Sequence, residues 1–270
     1  MRRLRIPGVL RERLFRIATG TTLAVLGIFF GGLLLSLAGF TTAAQFFRLL
    51  ISEEILFAIR LSVFTATLTT LLAVLLALPA AYALSNYNFR GKNIIDTVLD
   101  LPIVLSPIAL GAALMIFSST RVGSFVENNV FSFVFEVSGL VLAQFTVVVA
   151  LAARLLKSTF DMIDPRYVSV GRVLGCTGFQ AFRKISLPLA RPGIMAAVIL
   201  TWARAVGEFG ASVTLAGATA MKTETLPIAI YLSFATADVK KAVAVILVLV
   251  GIGGSALLAL RWIGGRSIAR

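Results

Sequence analysis

The sequence contains no histidine, one cysteine and only 12 acidic residues among its 270 positions. Without histidine, neither a Ser-His-Asp triad nor a zinc or haem site of the usual histidine-ligated kind can form. The single cysteine, Cys176, allows no disulfide within the chain. These absences leave little from which to build an enzyme active site, so we expect no catalytic residue and no metal site.

Charged residues are scarce and apolar residues are abundant. The charged fraction is 14%, the hydrophobic fraction is 59% and the mean hydropathy is +0.97, whereas soluble domains carry about 25% charged residues. A bilayer core of about 30 Å requires roughly 20 apolar residues per helix. The composition therefore predicts an all-α, polytopic membrane protein with about six transmembrane helices.

Six apolar runs mark the predicted spans. They cover residues 17–40, 56–84, 97–117, 139–156, 193–215 and 242–263. The first run exceeds a signal-peptide core and lacks a clear small-x-small cleavage site, so we interpret it as a retained membrane helix. The predicted organisation is a basic cytoplasmic segment at 1–16, a membrane domain at 17–263 and a cytoplasmic tail at 264–270.

The 25 basic residues, which give a formal charge of +13, are concentrated in alternate links between the apolar runs. They lie mainly before the first run, after the second, after the fourth and after the sixth. Because short basic loops stay in the cytoplasm, this pattern predicts that both termini are cytoplasmic (N-in, C-in). The same pattern argues against a nucleic-acid partner, because the basic residues lie in short segments between the apolar runs, as membrane topology requires.

The link at 157–191 is longer than a helical hairpin requires. Asp164 followed by Pro165 is a strong helix start, because aspartate caps free amides and proline fits the first helical position. The predicted helix covers residues 165–174 and stops at Gly175.

A second short helix is predicted in the same link. Thr177 and Gln180 have the spacing of a capping box, and the helix is expected to end near Ile185, before Pro188. Two interpretations remain open: a rigid knob that docks on a partner, or an amphipathic pair that rests on anionic lipid.

The end of this link resembles a known motif. Gly175, nine further residues and then Ile185-Ser186-Leu187-Pro188 match the second half of the EAA loop of ATP-binding-cassette (ABC) importer permeases. The three positions that name the motif are occupied by Ser169, Val170 and Gly171, so its usual carboxylate is missing. The resemblance implies that the following residues couple the chain to an ATPase: Ser169, Val170, Gly171, Arg172, Gly175, Ile185, Leu187 and Pro188.

Further segments are similar to the same family, especially to its molybdate/tungstate branch. They are residues 78–84, 89–92, 100–111, 204–212 and 225–231. The resemblance implies a multi-pass permease of a prokaryotic plasma membrane that imports a tetrahedral oxyanion, most plausibly molybdate or tungstate. A sulfate importer permease and a self-contained secondary transporter are the alternatives.

The resemblance also implies partners. They are a second copy of this chain, two cytoplasmic ATP-binding subunits that use ATP-Mg, and an extracytoplasmic oxyanion-binding protein. The sequence itself contains no G-x-x-x-x-G-K-[ST] loop to cradle ATP phosphates. We therefore expect this chain to bind no cofactor and to be a transport subunit rather than an enzyme.

Two charged residues in the fifth apolar run are candidates for the translocation path. Arg204 and Glu208 lie four residues apart, on one helical face, where unpaired charge is costly in a membrane. Either they line the path, or they form an ion pair that locks the helix against its neighbours. Gly207 beside them is expected to allow close packing or to act as a hinge.

Other candidates for the path are polar or helix-breaking. Pro102 and Pro107 are expected to break the third span and to free backbone carbonyls there. Ser212 and Thr214 offer hydroxyl donors for an oxyanion, although such hydroxyls commonly bond to their own helix backbone.

Overall fold

The computed structural model describes the backbone of residues 8–268, and in that part of the chain all regular structure is helical. The predicted all-α fold is confirmed. The helices are α1 (Gly8–Ala38), α2 (Ala43–Leu50), α3 (Glu53–Asn86), α4 (Lys92–Val104), α5 (Pro107–Ser118), α6 (Arg121–Asn129), α7 (Val137–Asp161), α8 (Pro165–Val173), α9 (Gly178–Ala181), α10 (Leu187–Val206), α11 (Gly210–Ala216), α12 (Leu226–Ala235) and α13 (Val239–Ile268). A π-helical turn, Phe182–Ser186, joins α9 to α10.

The two predicted terminal segments lie partly outside the described residues. Of the basic segment 1–16, residues 1–7 are not described, and the helix α1 already begins at Gly8. Of the tail 264–270, the backbone is described to Ile268, where α13 ends. The N-in, C-in orientation remains a prediction.

Five helical stretches in the described chain are long and apolar enough to cross a membrane, and a bent pair of helices raises the number to six. The bent pair is α4 and α5, which meet at 111° across a short break. The third apolar run, 97–117, is therefore divided, in line with the break expected at its prolines. The fifth apolar run, 193–215, is also divided, since α10 ends at Val206 and α11 begins at Gly210.

The chain divides into two compact units, residues 1–49 and 50–270. The described part of the first unit contains α1, which is apolar after Arg16, and most of α2, which carries Arg48 in its last turn. The second unit contains α3 to α13, and with them the predicted coupling loop and the candidate path residues.

The core of the second unit is the pair α3 and α7, which make the most extensive helix contact of the fold. Alanines provide much of the buried surface on both helices, for example Ala66 and Ala73 on α3 and Ala143 and Ala150 on α7. Small side chains allow helix backbones to approach closely, which is how membrane helices gain packing energy without a hydrophobic driving force between them.

A buried polar seam fixes how these two helices face each other. The Gln144 amide on α7 donates to Thr65 Oγ1 at 3.2 Å, and Thr69 Oγ1 donates to Gln144 Oε1 at 3.2 Å. All three side chains are at most 1% exposed. Because a misaligned pair would leave these groups without partners inside the membrane, the seam selects one register.

Candidate functional site

The helix α8 begins and ends as the sequence predicts. The Asp164 carboxylate accepts the backbone N–H of Arg166 at 2.9 Å. At the other end Gly175 has a φ of +90°. The Gly175 N–H donates to Arg172 O at 3.1 Å, and the Cys176 N–H donates to Gly171 O at 3.0 Å. This bond pair is a Schellman motif, which uses a left-handed residue to turn the chain sharply out of a helix.

The helix α9 has the predicted capping box, but the expected helix end before Pro188 is wrong. Thr177 and Gln180 exchange both bonds of the box, at 3.0 and 3.2 Å. The helix then continues without interruption over Gly178–Val206, a length of 29 residues. The Leu187 N–H bonds to Phe182 O, five residues back, so a widened π turn precedes the proline and accommodates it within the helix.

We call α8, α9 and the π turn, residues 165–186, the knob. The knob is fixed to the C-terminal ends of α3 and α7 by aromatic side chains that the sequence analysis missed. The Phe182 ring lies 4.6 Å from the Tyr82 ring of α3, and Tyr82 lies 5.4 Å from Phe160 of α7, centroid to centroid. The only sequence signal is that Tyr82 and Phe160 lie near the inner ends of predicted spans.

The motif residues have different environments within the knob. Gly171 is buried against Ile185, whose Cδ1 would overlap any Cβ added at Gly171. Gly171 therefore allows α8 to pack on the π turn. Ser169 is exposed and its hydroxyl donates to Pro165 O at 3.1 Å. Leu187 is half-buried and Pro188 is exposed at the start of α10.

Four apolar side chains of the knob are exposed. Val170, Val173, Leu174 and Phe179 are 58, 88, 78 and 70% exposed. Arg172 is exposed beside them. Exposed apolar side chains clustered in a basic loop are typical of a surface that another molecule covers.

The candidate path residues collect around the two broken segments. Pro107 begins α5, and Ser106 caps that helix by accepting the Ala109 N–H at 3.3 Å. Pro102 lies inside α4. The expectation that both prolines break the third span is therefore correct only for Pro107, because the bend falls at Leu105 and Ser106.

The second break packs against the first. A Cβ added at Gly210 would lie 3.0 Å from Pro107 Cβ and 3.1 Å from Ile108 N. One added at Gly111 would lie 2.8 Å from the Ala211 carbonyl oxygen. Because only hydrogen occupies these positions, the starts of α5 and α11 lie almost backbone to backbone.

Arg204 and Glu208 form an ion pair across the break between α10 and α11. Arg204 Nη1 lies 2.6 Å from Glu208 Oε2, and the two side chains are 39% and 1% exposed. Glu208 Oε1 also accepts the Ala211 N–H of α11 at 3.1 Å. The pair thus connects the end of α10 with the start of α11.

The remaining path candidates have distinct surroundings. Gly207 is exposed at the C-terminus of α10. The nearest atom to an added Cβ lies 3.7 Å away, so Gly207 marks the break between helices and does not allow a close helix contact. Thr214 Oγ1 donates to Gly210 O at 2.7 Å within its own helix. Ser212 is fully buried, and its hydroxyl has no hydrogen-bond partner within the described residues.

The sequence analysis missed an ion cluster between α4 and α7. Arg154 Nη1 lies 3.0 Å from Asp96 Oδ1, and Arg154 Nε and Nη2 both donate to the Asp100 carboxylate. Arg154 Nη2 also donates to the Asp96 carbonyl at 3.1 Å. The available signal was two carboxylates four residues apart, one directly before and one inside the third apolar run. The cluster holds α4, the first helix of the broken third span, on α7.

Replacing Arg154 with methionine is expected to destabilise the protein, because it leaves Asp96 and Asp100 without their cation. We expect a loss of about 1–3 kcal/mol, below the value for a fully buried pair because Arg154 is 30% exposed. Lys157→Met, which breaks a one-to-one pair with Asp161 on the same helix, is the control and should lose under about 1 kcal/mol. Thermal unfolding of both variants in detergent measures the difference, and equal midpoints would contradict the role of the cluster.

Two features characterise this polytopic membrane protein: a knob that packs on the C-terminal ends of α3 and α7, and an unbroken helix from the knob to the charged break. The chain matches the family "Binding-protein-dependent transport system inner membrane component" over residues 73–266, and it belongs to that family. The resemblance to ABC importer permeases is thereby confirmed.

Relatives with curated names include permeases for related anions. The chain is 37% identical to a probable molybdenum ABC transporter permease of Haloferax volcanii, over 79% of this chain and 77% of that protein. It is 34% identical to the molybdate/tungstate permease WtpB of Thermococcus kodakarensis, over 78% and 80% of the two chains. It is 32% identical to the sulfate permease CysW of Synechococcus elongatus, over 63% and 60%.

Solved structures support the same fold. A chain of a bacterial alginate ABC transporter superposes with a TM-score of 0.77 over 96% of each chain, at 16% identity. A chain of the methionine ABC transporter MetNI, in an inward-facing conformation, gives 0.56 over 79% of this chain and 99% of that one, at 17% identity. At these identities the likeness concerns architecture alone.

Proposed function

We propose that this chain is the permease subunit of an ATP-driven importer for molybdate or tungstate, and that it couples ATP hydrolysis by a partner subunit to alternating access. The observation that carries the proposal is the unbroken helix Gly178–Val206. At 1.5 Å per residue it extends about 43 Å, from the knob to the charged break. A displacement of the knob is therefore passed to the membrane interior without an intervening flexible loop.

The knob is the proposed docking element for the ATP-binding subunit, which carries the ATP-Mg. Its apolar patch, Val170, Val173, Leu174 and Phe179, is suited to an apolar groove, and Arg172 to a carboxylate at the rim. Ser169 replaces the family carboxylate and uses its hydroxyl within its own helix. Docking therefore rests on shape and apolar contact more than on a salt bridge.

A second copy of this chain is the proposed partner inside the membrane. None of the side chains of α4, all within the described residues, is buried, and Val104 and Leu105 next to the bend are 82% and 45% exposed. An irregular backbone at membrane depth is tolerated only where protein covers it or water fills a cavity. Two copies facing each other at this bend satisfy that requirement and enclose a path between them.

The substrate assignment rests on the named relatives. The molybdenum permease of Haloferax volcanii and the molybdate/tungstate permease of Thermococcus kodakarensis match over 79% and 78% of this chain, and the sulfate permease of Synechococcus elongatus matches over 63%. Sulfate is the second candidate, since it is also a tetrahedral dianion. An extracytoplasmic binding protein is the proposed source of the substrate, as the family description indicates.

The proposal is tested by transport in proteoliposomes. The chain is reconstituted with its ATP-binding subunit, with ATP inside and the binding protein with labelled molybdate, tungstate or sulfate outside. We expect ATP-dependent accumulation of molybdate and tungstate, at least tenfold above that of sulfate. Accumulation without ATP would identify a secondary transporter, and accumulation of sulfate alone would reverse the substrate assignment.

A further inference from the structure

The exposed part of Arg204 needs an explanation. The residue lies in the last turn of a membrane-spanning helix, where a guanidinium facing lipid is strongly disfavoured. Its side chain is nevertheless 39% exposed, while its partner Glu208 is 1% exposed. The accessible part of this side chain must therefore face water or a partner molecule.

We propose that Arg204 contacts the oxyanion during its passage, and that Glu208 is a positioning residue that competes with the anion for this cation. The inference rests on the proposed function. A guanidinium has five N–H donors, so a carboxylate on one side leaves others free for the oxygens of a tetrahedral anion. A permanently free arginine would bind a dianion strongly and delay its release, because conduction requires weak binding.

The Glu208 backbone N–H donates to Ala205 O of α10 at 3.1 Å, but the two side chains of the ion pair are held by different helices. Glu208 is held by the Ala211 N–H of α11, and α11 packs tightly on α5 through Gly210 and Gly111. Arg204 belongs to α10, the helix that continues from the knob. The break at Gly207 lies between them. A movement of the knob therefore displaces Arg204 relative to Glu208.

This division makes the affinity of the site depend on conformation. In the present structure the carboxylate and the guanidinium are in contact at 2.6 Å, so Arg204 is largely neutralised. When α10 moves, Arg204 separates from Glu208 and attracts the anion. When α10 returns, the carboxylate displaces the anion and promotes its release.

The test uses Glu208→Gln in the reconstituted permease and ATPase complex. Glutamine keeps the shape and a carbonyl acceptor for the Ala211 N–H, and it removes only the competing charge. We expect molybdate uptake to fall at least tenfold. We also expect the complex without binding protein to retain molybdate through rapid gel filtration at least fivefold more than wild type.

A matched control is available. Glu224 is also buried, at 2% exposure, and also accepts a backbone N–H, from Met221 at 3.0 Å. Glu224→Gln should transport within twofold of wild type and retain no additional molybdate. Retention equal to that of Glu208→Gln would overturn the proposal, because it would show that the effect is not specific to the Arg204 partner.

A second variant covers the case in which Glu208→Gln does not fold. Arg204→Gln should lower uptake at least fivefold without retention, and the Arg204→Gln/Glu208→Gln double variant should abolish retention. If Arg204→Gln transports like wild type, or if folded Glu208→Gln retains no extra molybdate, the proposal is wrong although the importer function stands. A wild-type complex that moves no oxyanion would instead refute the proposed function itself.

Discussion

Gly175→Val is expected to reduce transport and binding-protein-stimulated ATP hydrolysis to background while leaving membrane insertion and the amount of folded protein near normal. Gly175 has a φ of +90°. This region disfavours every L side chain by roughly 1–2 kcal/mol, and branched side chains most. The backbone is expected to relax out of it, which breaks the two Schellman bonds and changes the angle between α8 and α9.

Gly178 provides the matched control for this experiment. An added Cβ meets no atom within 4 Å at either glycine, but only Gly175 has a positive φ. Gly178→Val should therefore keep most of the transport activity, and Gly175→Asn should recover part of it, because asparagine tolerates the left-handed region. Transport by Gly175→Val at the wild-type rate would show that the sharp turn is not required for coupling.

Gly111→Val is expected to lower the thermal unfolding midpoint by about 10 °C and to reduce the yield of folded protein. An added Cβ would lie 2.8 Å from Ala211 O and 2.8 Å from Thr214 Cβ, so α5 and α11 would have to separate. Overpacking of this kind costs about 3 kcal/mol, and a domain of this size loses about 2–4 °C per kcal/mol.

Gly253→Val is the control for the packing experiment. Gly253 also lies in an apolar helix, α13, but an added Cβ there has no atom within 4 Å. Its midpoint should remain within about 2 °C of wild type. If both variants unfold at the wild-type temperature, the close approach of α5 and α11 does not limit stability. Thermal unfolding followed by tryptophan fluorescence or size-exclusion chromatography provides the measurement.

Local signals in the knob were predicted from the sequence because each depends on a few neighbouring residues. The Asp164 cap, the Thr177 and Gln180 capping box and the turn at Gly175 were all found in the structure. The prediction failed at Pro188, where the local rule gives a helix end and the structure has a continuous helix. The widened π turn ahead of that proline, anchored through Phe182 against Tyr82, is a tertiary solution.

The sequence by itself determined the membrane class, the approximate positions of the spans and the ends of the knob helices. These follow from hydropathy over about 20 residues and from capping within one helical turn. Only the tertiary structure decided where the third and fifth spans break, which glycines lie backbone to backbone, and that Arg154 joins Asp96 and Asp100. These features depend on contacts between helices that are far apart in the chain. Whether a proline bends a helix depends on which helix packs against it, and whether a charge is neutralised depends on which charged side chain lies close to it.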